Sequence, residues 1–542
     1  MLKFLKNLPD FSRLKIITLA ILTHFVLFAL PINIKTLTYS DLELVLIVKN
    51  FILDICLDLL FACIIISALT INKIVFSIFF PLFFIFSGVC SYFMFIYRID
   101  INPEMIAAVL TADKEQIYSH LYLGPILFFI ANLMISLFFV YLICYKNKKL
   151  TLFKAVNFYG IIFFALYIFI ISLMDTVNSS KHLLFNYLSA TYNYTYSYHK
   201  NPKTYEKENI AEKYKFIEKT KQKNMNVVLV IGESARSDRF GINYYRRNTT
   251  PRLSEQKNLI SFKNAYSCAA MTMPSISCML TRASKNNKIP IYSETSIISV
   301  FKSLGFRTYW IAMPSKKSFN KKLFYKLMTN SDEYFLLNKF IREKKEEVAV
   351  VEFLDKILKD KTYSKKFIII HTMGSHWPYI RSTNSKFLKY KPYCKIVNYR
   401  KKFLDDASVF DHVKTIKNHC DKENLNNSYD NSILYTDYFL DEILKSLKSY
   451  ANSLFFYTSD HGQSLGENGY YMQGKTYIKE QVHVPFLFWA SDNFINFNKK
   501  KIAKIKKKTN DTITHEYLFH SLLDCLDIES KAINKQKSIC ND

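Results

Sequence analysis

Nearly all the long apolar runs of this 542-residue chain lie before residue 177, and most of its lysine lies after it. That asymmetry constrains the architecture before any motif is considered, because a run of about 20 apolar residues is long enough to cross a bilayer. Averaged over the chain, mean hydropathy is close to zero, which hides the division. Half the residues are apolar and 16% aromatic, with only 11 Gly and 13 Pro. Such a composition excludes a disordered chain, a collagen-like repeat and a disulfide-dense mini-protein, and the length exceeds what one core usually supports. The chain reads as a membrane half joined to a soluble half.

Five apolar runs are candidate spans: Leu14–Ile34, Val45–Ile71, Ile74–Tyr97, Leu121–Tyr145 and Leu152–Met174. The first follows Lys3, Lys6 and Arg13 but lacks a small-residue cleavage site, so it reads as an uncleaved anchor. Lys73, Lys146, Lys148 and Lys149 mark cytoplasmic turns, while Asp100, Glu104, Asp113 and Glu115 mark an external loop. Five spans starting inside place the soluble half outside. The expected organisation is a five-helix transmembrane domain over 1–176, interfacial linker helices over 177–223, and an external metal-dependent catalytic α/β domain over 224–542. Six cysteines fall in the external half, an even number that suits an oxidising compartment. The expected pairs are Cys268–Cys278, Cys394–Cys420 and Cys525–Cys540, although spacing alone leaves other connectivities open.

In the external half, short β-branched or aromatic runs alternate with helical patterns. The runs Asn226–Ile231, Arg307–Ala312, Phe367–His371, Leu454–Ser459 and Val484–Ala490 read as strands. Ser293–Leu304, Val350–Leu358, Ser428–Tyr450 and Glu516–Leu526 read as helices, the longest with a stripe of Ile433, Leu434, Leu440, Ile443, Leu444 and Leu447. Alternation of this kind predicts a mostly parallel sheet with helices on both faces, and ligands beyond the carboxyl ends of its strands. The Lys499–Lys508 run reads as a solvated surface loop.

Polar residues stand where that rule puts a site. One strand runs into Gly232-Glu233-Ser234, another into Asp460-His461-Gly462, and a third into His371 followed by Gly374-Ser375-His376. Glu, Asp and His are ligands for a divalent metal, above all zinc. Thr272, two residues before Pro274, reads as a helix N-cap. At that position an ordinary capping hydroxyl and a metal-activated nucleophile look alike, and the flanking cysteines would hold the loop rigid.

These residues fall in an order that resembles the phosphoethanolamine transferases of lipid A and lipooligosaccharide, in the alkaline phosphatase/sulfatase superfamily. The matching segments are GESARSDRFGINYYRRNTTPRL (232–253), SC…T…C (267–278), HTMGSHWPY (371–379), YDNSILYTDYFLDEIL (429–444), SDHGQSLGENGYY (459–471), HVP (483–485) and LFHSLL (518–523). The resemblance implies a bacterial inner-membrane, multi-pass protein with its catalytic domain in the periplasm. It implies zinc (Zn2+) held by Glu233, Thr272, Asp460 and His461, with a second ion left open. Thr272 would be the nucleophile, taking phosphoethanolamine from phosphatidylethanolamine and passing it to lipid A, lipooligosaccharide or a related envelope acceptor. Polymyxin resistance goes with that chemistry.

His376 resembles the family's histidine for a second metal or the substrate phosphate. Gln473 stands where the family has another histidine, and Lys317 is a candidate anion partner. His371 and His483 lie beside these motifs, as supports for the ligands or as plain structural histidines. Ala108, Ala112 and Gln116 replace polar groups of the donor-lipid site, and Ala312-Met313 replaces an Asp-Asn pair. These departures keep two alternatives in view, a phosphoglycerol transferase and a catalytically inactive lipid- or envelope-binding relative. A sulfatase activity is excluded, since Cys278-Met279-Leu280-Thr281-Arg282 has Leu where its nucleophile motif requires Pro. The net charge of 73 − 45 = +28 fits an anionic acceptor, and equally a genome-wide bias toward Lys, Ile and Asn. No nucleic-acid partner is implied, and a monomer is expected.

Overall fold

The computed structural model describes residues 13–31, 34, 44–70, 72–97, 123–146, 207–219, 224–284, 287, 289–313, 322–337, 346–379, 385–394, 416, 420–476 and 478–541. The chain divides into two compact units, Met1–Pro202 and Lys203–Asp542.

The first unit is helical: α1 (Arg13–His24), α2 (Leu44–Leu69), α3 (Lys73–Tyr97) and α4 (Leu123–Val140). A π-helical turn extends α1 over Phe25–Ala29, and another extends α4 over Tyr141–Lys146. Apolar side chains such as Ile17, Phe28, Phe80, Phe84 and Ile143 pack between the helices. Polar contacts add to that packing, as is usual where lipid cannot supply hydrogen bonds. His24 Nε2 lies 2.9 Å from Ser87 Oγ, and Ser91 Oγ donates to the Phe28 carbonyl at 3.0 Å. Lys73–Tyr92 and Ile126–Lys146 are long and apolar enough to cross a membrane, whereas Lys15–Ala29 and Asp58–Leu69 are shorter apolar helices. The fifth expected span, Leu152–Met174, and most of the expected linker lie outside the described residues.

The second unit is built on a seven-stranded sheet. In chain order the strands are β1 (Met225–Gly232), β2 (Leu259–Phe262), β3 (Arg307–Ala312), β4 (Glu333–Leu336), β5 (Lys365–His371), β6 (Ser453–Ser459) and β7 (Phe486–Ala490). Their order across the sheet is β2-β7-β6-β1-β5-β3-β4. The run from β6 to β4 is parallel, while β7 lies antiparallel to both β6 and β2. The central strand β1 is buried throughout, which is why its sequence is continuously apolar rather than alternating. Val227, Leu229 and Ile231 enter one core, and Val228 and Val230 enter the other. Both edge strands, β2 and β4, escape the sequence reading because each is a short run of four residues with partly exposed positions.

The principal helices of this unit are α5 (Thr272–Met279), α6 (Ile297–Ser303), α7 (Val351–Lys359), α8 (Lys422–Lys448), α9 (Lys499–Lys507) and α10 (Glu516–Asp524). Most of the predicted stripe of α8 faces the core that holds Val228 and Val230, except Leu434, which packs with Phe387 and Tyr435. The helix begins at Lys422, six residues before the sequence reading starts it, with Asp421 accepting from the Asn424 N–H at 2.7 Å. Its first turns are polar because they pair inward: Asp430 meets Arg239 and Arg247, Asn431 meets Tyr390, and Ser432 donates to Ser375. The Lys499–Lys508 run is also corrected. It forms α9, since Ile502 and Ile505 stand at helical spacing and are buried. Disulfides join Cys268–Cys278, Cys394–Cys420 and Cys525–Cys540, as expected.

Candidate active site

The parallel strands end together, and their ends carry the polar residues. Gly232 pairs with Ser459 and Ile231 pairs with His371, so Glu233, Asp460 and His371 emerge at one edge of the sheet. Glu233, Asp460 and His461 are all buried, and each offers a ligand atom within 4.8 Å of the others. Thr272 joins them from the start of α5, its Oγ1 3.3 Å from Glu233 Oε2 and 3.4 Å from His461 Nε2. The helix start is shifted by one residue from the sequence reading. Thr272 is the first helical residue and Met271, in extended conformation, is the N-cap. The threonine hydroxyl is therefore not spent on capping and faces the carboxylates.

Hydrogen bonds fix which atoms point inward. A carbonyl oxygen can only accept, so the 2.9 Å contact between His461 Nδ1 and the Gly462 oxygen places the proton on Nδ1. The Nε2 of His461 then faces Asp460 Oδ2 at 3.3 Å and Glu233 Oε1 at 3.5 Å. Gly462 is required there, because a Cβ would stand 2.2 Å from the Glu480 carbonyl oxygen. Asp460 Oδ1 accepts from the backbone N–H of Ser234 at 3.1 Å and of His461 at 2.7 Å. Asp460 Oδ2 is buried with no hydrogen-bond partner among the described residues.

The electrostatics call for a cation. Burial and the adjacent Glu233 charge push Asp460 up to about 6. Burial opposes protonation of His461, but the charges of Asp460 and Glu233 outweigh it and hold that histidine above its ordinary value. Among the described residues the only ion-pair partner of Glu233 or Asp460 is His461, since buried Arg236 is committed to Asp238 and Glu467. Two carboxylates, one imidazole nitrogen and one hydroxyl converging in a dry site form a donor set that fits zinc. Asp460 Oδ2, buried beside His461 and without a hydrogen bond among the described residues, is the observation that most directly asks for it.

His371 is buried at the end of β5, pulled down to about 4 by burial, and feels the Asp460 charge. The loop after it packs on Glu233: Ser375 N–H donates to the Glu233 carbonyl at 2.9 Å, and a Cβ on Gly374 would meet that residue's backbone oxygen at 2.9 Å. His376 is half-buried, with Nδ1 donating to the Trp377 carbonyl at 2.6 Å. Gln473 is half-buried, and its Oε1 lacks a hydrogen-bond partner among the described residues. His483 donates from Nε2 to the Lys263 carbonyl at 2.7 Å and packs on Tyr266, contacts that serve the backbone rather than the carboxylate cluster. Ala312 and Met313 are fully buried, and Met313 N–H donates to the His371 carbonyl at 2.9 Å. Lys317, Ala108, Ala112 and Gln116 lie outside the described residues.

His515 was not singled out by sequence, yet it ties the site together. Its Nδ1 accepts from the Cys268 N–H at 3.4 Å, and its Nε2 donates to the Ser459 carbonyl at 2.9 Å. One ring thus connects the loop that carries Thr272 to the strand end that carries Asp460. The available signal was its place just before the LFHSLL helix, which marks a helix start and nothing catalytic.

A sequence model of the sulfatase family matches residues 225–528, and one described as phosphoethanolamine transferase EptA/EptB matches residues 59–194. The Kdo(2)-lipid A phosphoethanolamine 7''-transferase of Escherichia coli strain K12 is 28% identical over 343 residues, 61% of this chain and 57% of that protein. The phosphoethanolamine transferase EptA of Helicobacter pylori is 32% identical over 329 residues, 58% of this chain and 56% of that protein. The chain thus aligns with little more than half the length of these relatives. Among solved structures, the integral membrane protein lipooligosaccharide phosphoethanolamine transferase A of Neisseria meningitidis matches with a TM-score of 0.71 at 20% identity, covering 97% of both chains. At that identity the likeness speaks for the fold.

Proposed function

This chain belongs to the sulfatase family, and from that premise we propose that it transfers phosphoethanolamine from phosphatidylethanolamine to lipid A, lipooligosaccharide or a related envelope acceptor. The observation that carries the proposal is the position of Thr272, whose hydroxyl lies within 3.3–3.4 Å of Glu233 and His461 in a buried ligand cluster. The names of the relatives supply the transferred group and the acceptor class.

In this reading Thr272 Oγ attacks the donor phosphorus. A Thr272–O–P bond forms, the bond from phosphorus to the glycerol oxygen breaks, the threonine proton departs, and diacylglycerol leaves carrying a proton. An acceptor oxygen then attacks the same phosphorus, a new O–P bond forms, the Thr272–O–P bond breaks, and the threonine oxygen leaves by taking up the proton that the acceptor gives up. Glu233, Thr272, Asp460 and His461 would hold zinc, which lowers the pKa of a bound hydroxyl and offsets charge on phosphoryl oxygens. The amide groups of the first turn of α5 add positive potential beside Thr272. His376 and Lys317 would meet the phosphate or a second ion, and Gln473 would bind the donor head group. His371 and His483 would support the surrounding backbone and ligands. We also place five spans before the linker, the catalytic unit on the periplasmic side of the inner membrane, and the protein as a monomer.

The unpartnered oxygen of Gln473 also suits a second reading, in which a glycerol hydroxyl replaces the ammonium and the donor is phosphatidylglycerol. Diacylglycerol release from the two lipids separates the readings. Release from phosphatidylethanolamine, lost in Thr272→Ala, supports the first; release from phosphatidylglycerol alone supports the second.

A further inference from the structure

Ser234 touches both carboxylates of the cluster. Its Oγ donates to Glu233 Oε1 at 2.6 Å, and its backbone N–H donates to Asp460 Oδ1 at 3.1 Å. Each carboxylate therefore has one oxygen held by the protein. The other oxygens carry no such anchor: Glu233 Oε2 lies 3.3 Å from Thr272 Oγ1, and Asp460 Oδ2 has no hydrogen-bond partner among the described residues, while Glu233 Oε1 stands 3.5 Å from His461 Nε2. Ser234 thus holds one oxygen of each carboxylate, sharing Asp460 Oδ1 with the His461 N–H.

The geometry has a cost, since Ser234 adopts φ = +58°, a left-handed conformation uncommon for a residue with a Cβ. Backbone in such a region persists only where its surroundings over-determine it. Here Tyr429, fully buried on α8, supplies the constraint. Its hydroxyl donates to the Ser234 carbonyl at 2.6 Å and accepts from the Arg236 N–H at 3.0 Å. The tyrosine clamps the turn from both sides, and Ser432, three residues on, reaches the adjoining loop through Ser375 Oγ at 2.9 Å.

We propose that Ser234, held in a left-handed turn by Tyr429, is a positioning residue that presets Glu233 and Asp460 for the metal and leaves one oxygen of each for it. The inference rests on the zinc site proposed above and goes beyond it, because neither residue is a ligand. Partners that orient metal ligands are worth about 10- to 100-fold in metal affinity. The conformation and the hydroxyl make opposite predictions for a glycine. If only the backbone conformation matters, Ser234→Gly relieves it and keeps the metal. If the hydroxyl orients Glu233, glycine and alanine both lose affinity.

The test is zinc affinity of the full-length, detergent-solubilised protein, measured by competition with a chromophoric chelator for the wild type, Ser234→Ala, Ser234→Gly and Tyr429→Phe. Thermal unfolding of the metal-free forms serves as the control for folding. The expected result is a zinc affinity about 10- to 100-fold weaker in all three variants. The metal-free unfolding temperature of the glycine variant stays near the wild type, whereas that of Tyr429→Phe falls, because the buried Ser234 carbonyl and Arg236 N–H lose their partner. Wild-type affinity in Ser234→Gly overturns the inference and leaves the proposed function standing. Failure of the wild type itself to bind zinc overturns both.

Discussion

His461 faces Thr272 with Nε2, 3.4 Å from its Oγ1, because the other ring nitrogen is committed to the Gly462 carbonyl. Thr272 thus brings its hydroxyl to both an imidazole nitrogen and a carboxylate oxygen, and its removal isolates the chemistry. Thr272→Ala should lower transfer by at least about 1,000-fold and weaken zinc binding, since one of its four proposed ligands is lost, while leaving the unfolding temperature of the metal-free protein essentially unchanged. Radiolabelled transfer to lipid A and metal analysis of the purified variant check this. Retained transfer would remove Thr272 from the mechanism.

His515 should matter without touching the substrate. Replacing it with leucine strands the Cys268 N–H and the Ser459 carbonyl in a buried site, each at about 1–3 kcal/mol. The expected outcome is a lower unfolding midpoint in denaturant together with a reduced kcat at nearly unchanged KM. His515→Gln, which retains a donor and an acceptor, should recover part of both. Equal loss in the two variants would mean that ring shape, not hydrogen bonding, is what the position needs.

The Arg236 guanidinium is a second point of fragility. It is buried and joins Asp238 to Glu467, and Glu467 is held below its usual range chiefly by that charge against the cost of burial. Asp238 and Glu467 keep contact with water, at 46% and 27% side-chain exposure, so the cost of losing the guanidinium falls chiefly on the buried Gln463 carbonyl that it also meets, at about 1–3 kcal/mol. Arg236→Met should therefore destabilise the second unit more than Arg252→Met, whose partner Asp437 keeps two backbone N–H donors. Comparable melting temperatures for the two variants would contradict this.

Acid should destabilise the fold through buried neutral histidines. Burial, helped by the charges of Lys537 and Arg282, pulls His520 down to about 4. Its unfolded value is near 6.5, so between about pH 4 and 6.5 the unfolded chain binds the extra proton. The contribution is fully present above that window and is lost as pH falls through it, at about 1.4 kcal/mol per pH unit. Asp437, raised to about 6 by burial, acts in the opposite sense over the lower part of the same range. The comparison of wild type with His520→Gln cancels that term. Unfolding midpoints in urea at pH 7.5 and 5 should differ by more in the wild type than in the variant, and equal differences would exclude a neutral buried His520.

Much of this was written locally in the sequence. The continuously apolar NVVLVI run could only be a strand buried on both faces, and it leads directly to Glu233. Likewise Asp460-His461 follows a strand at a sheet end, where ligands collect. What was hidden depends on contacts between distant segments. Ser234 and Tyr429 are 195 residues apart and look like ordinary turn and helix residues. His515 is 247 residues from Cys268, and no local pattern marks the pair. The early turns of α8 read as non-helical because Asn, Asp and Ser disfavour exposed helix interiors, whereas here they are buried and paired. The π-helical turns after α1 and α4 also carry no sequence signature.

The central claim is that Thr272 carries the transferred group. The direct measurement is mass spectrometry of the Thr272 peptide after the purified full-length protein is incubated with zinc and phosphatidylethanolamine, and separately with phosphatidylglycerol. The account predicts a phosphoethanolamine adduct on Thr272 from the first lipid alone, absent in Thr272→Ala. An unmodified Thr272 in zinc-loaded protein that releases diacylglycerol would contradict it.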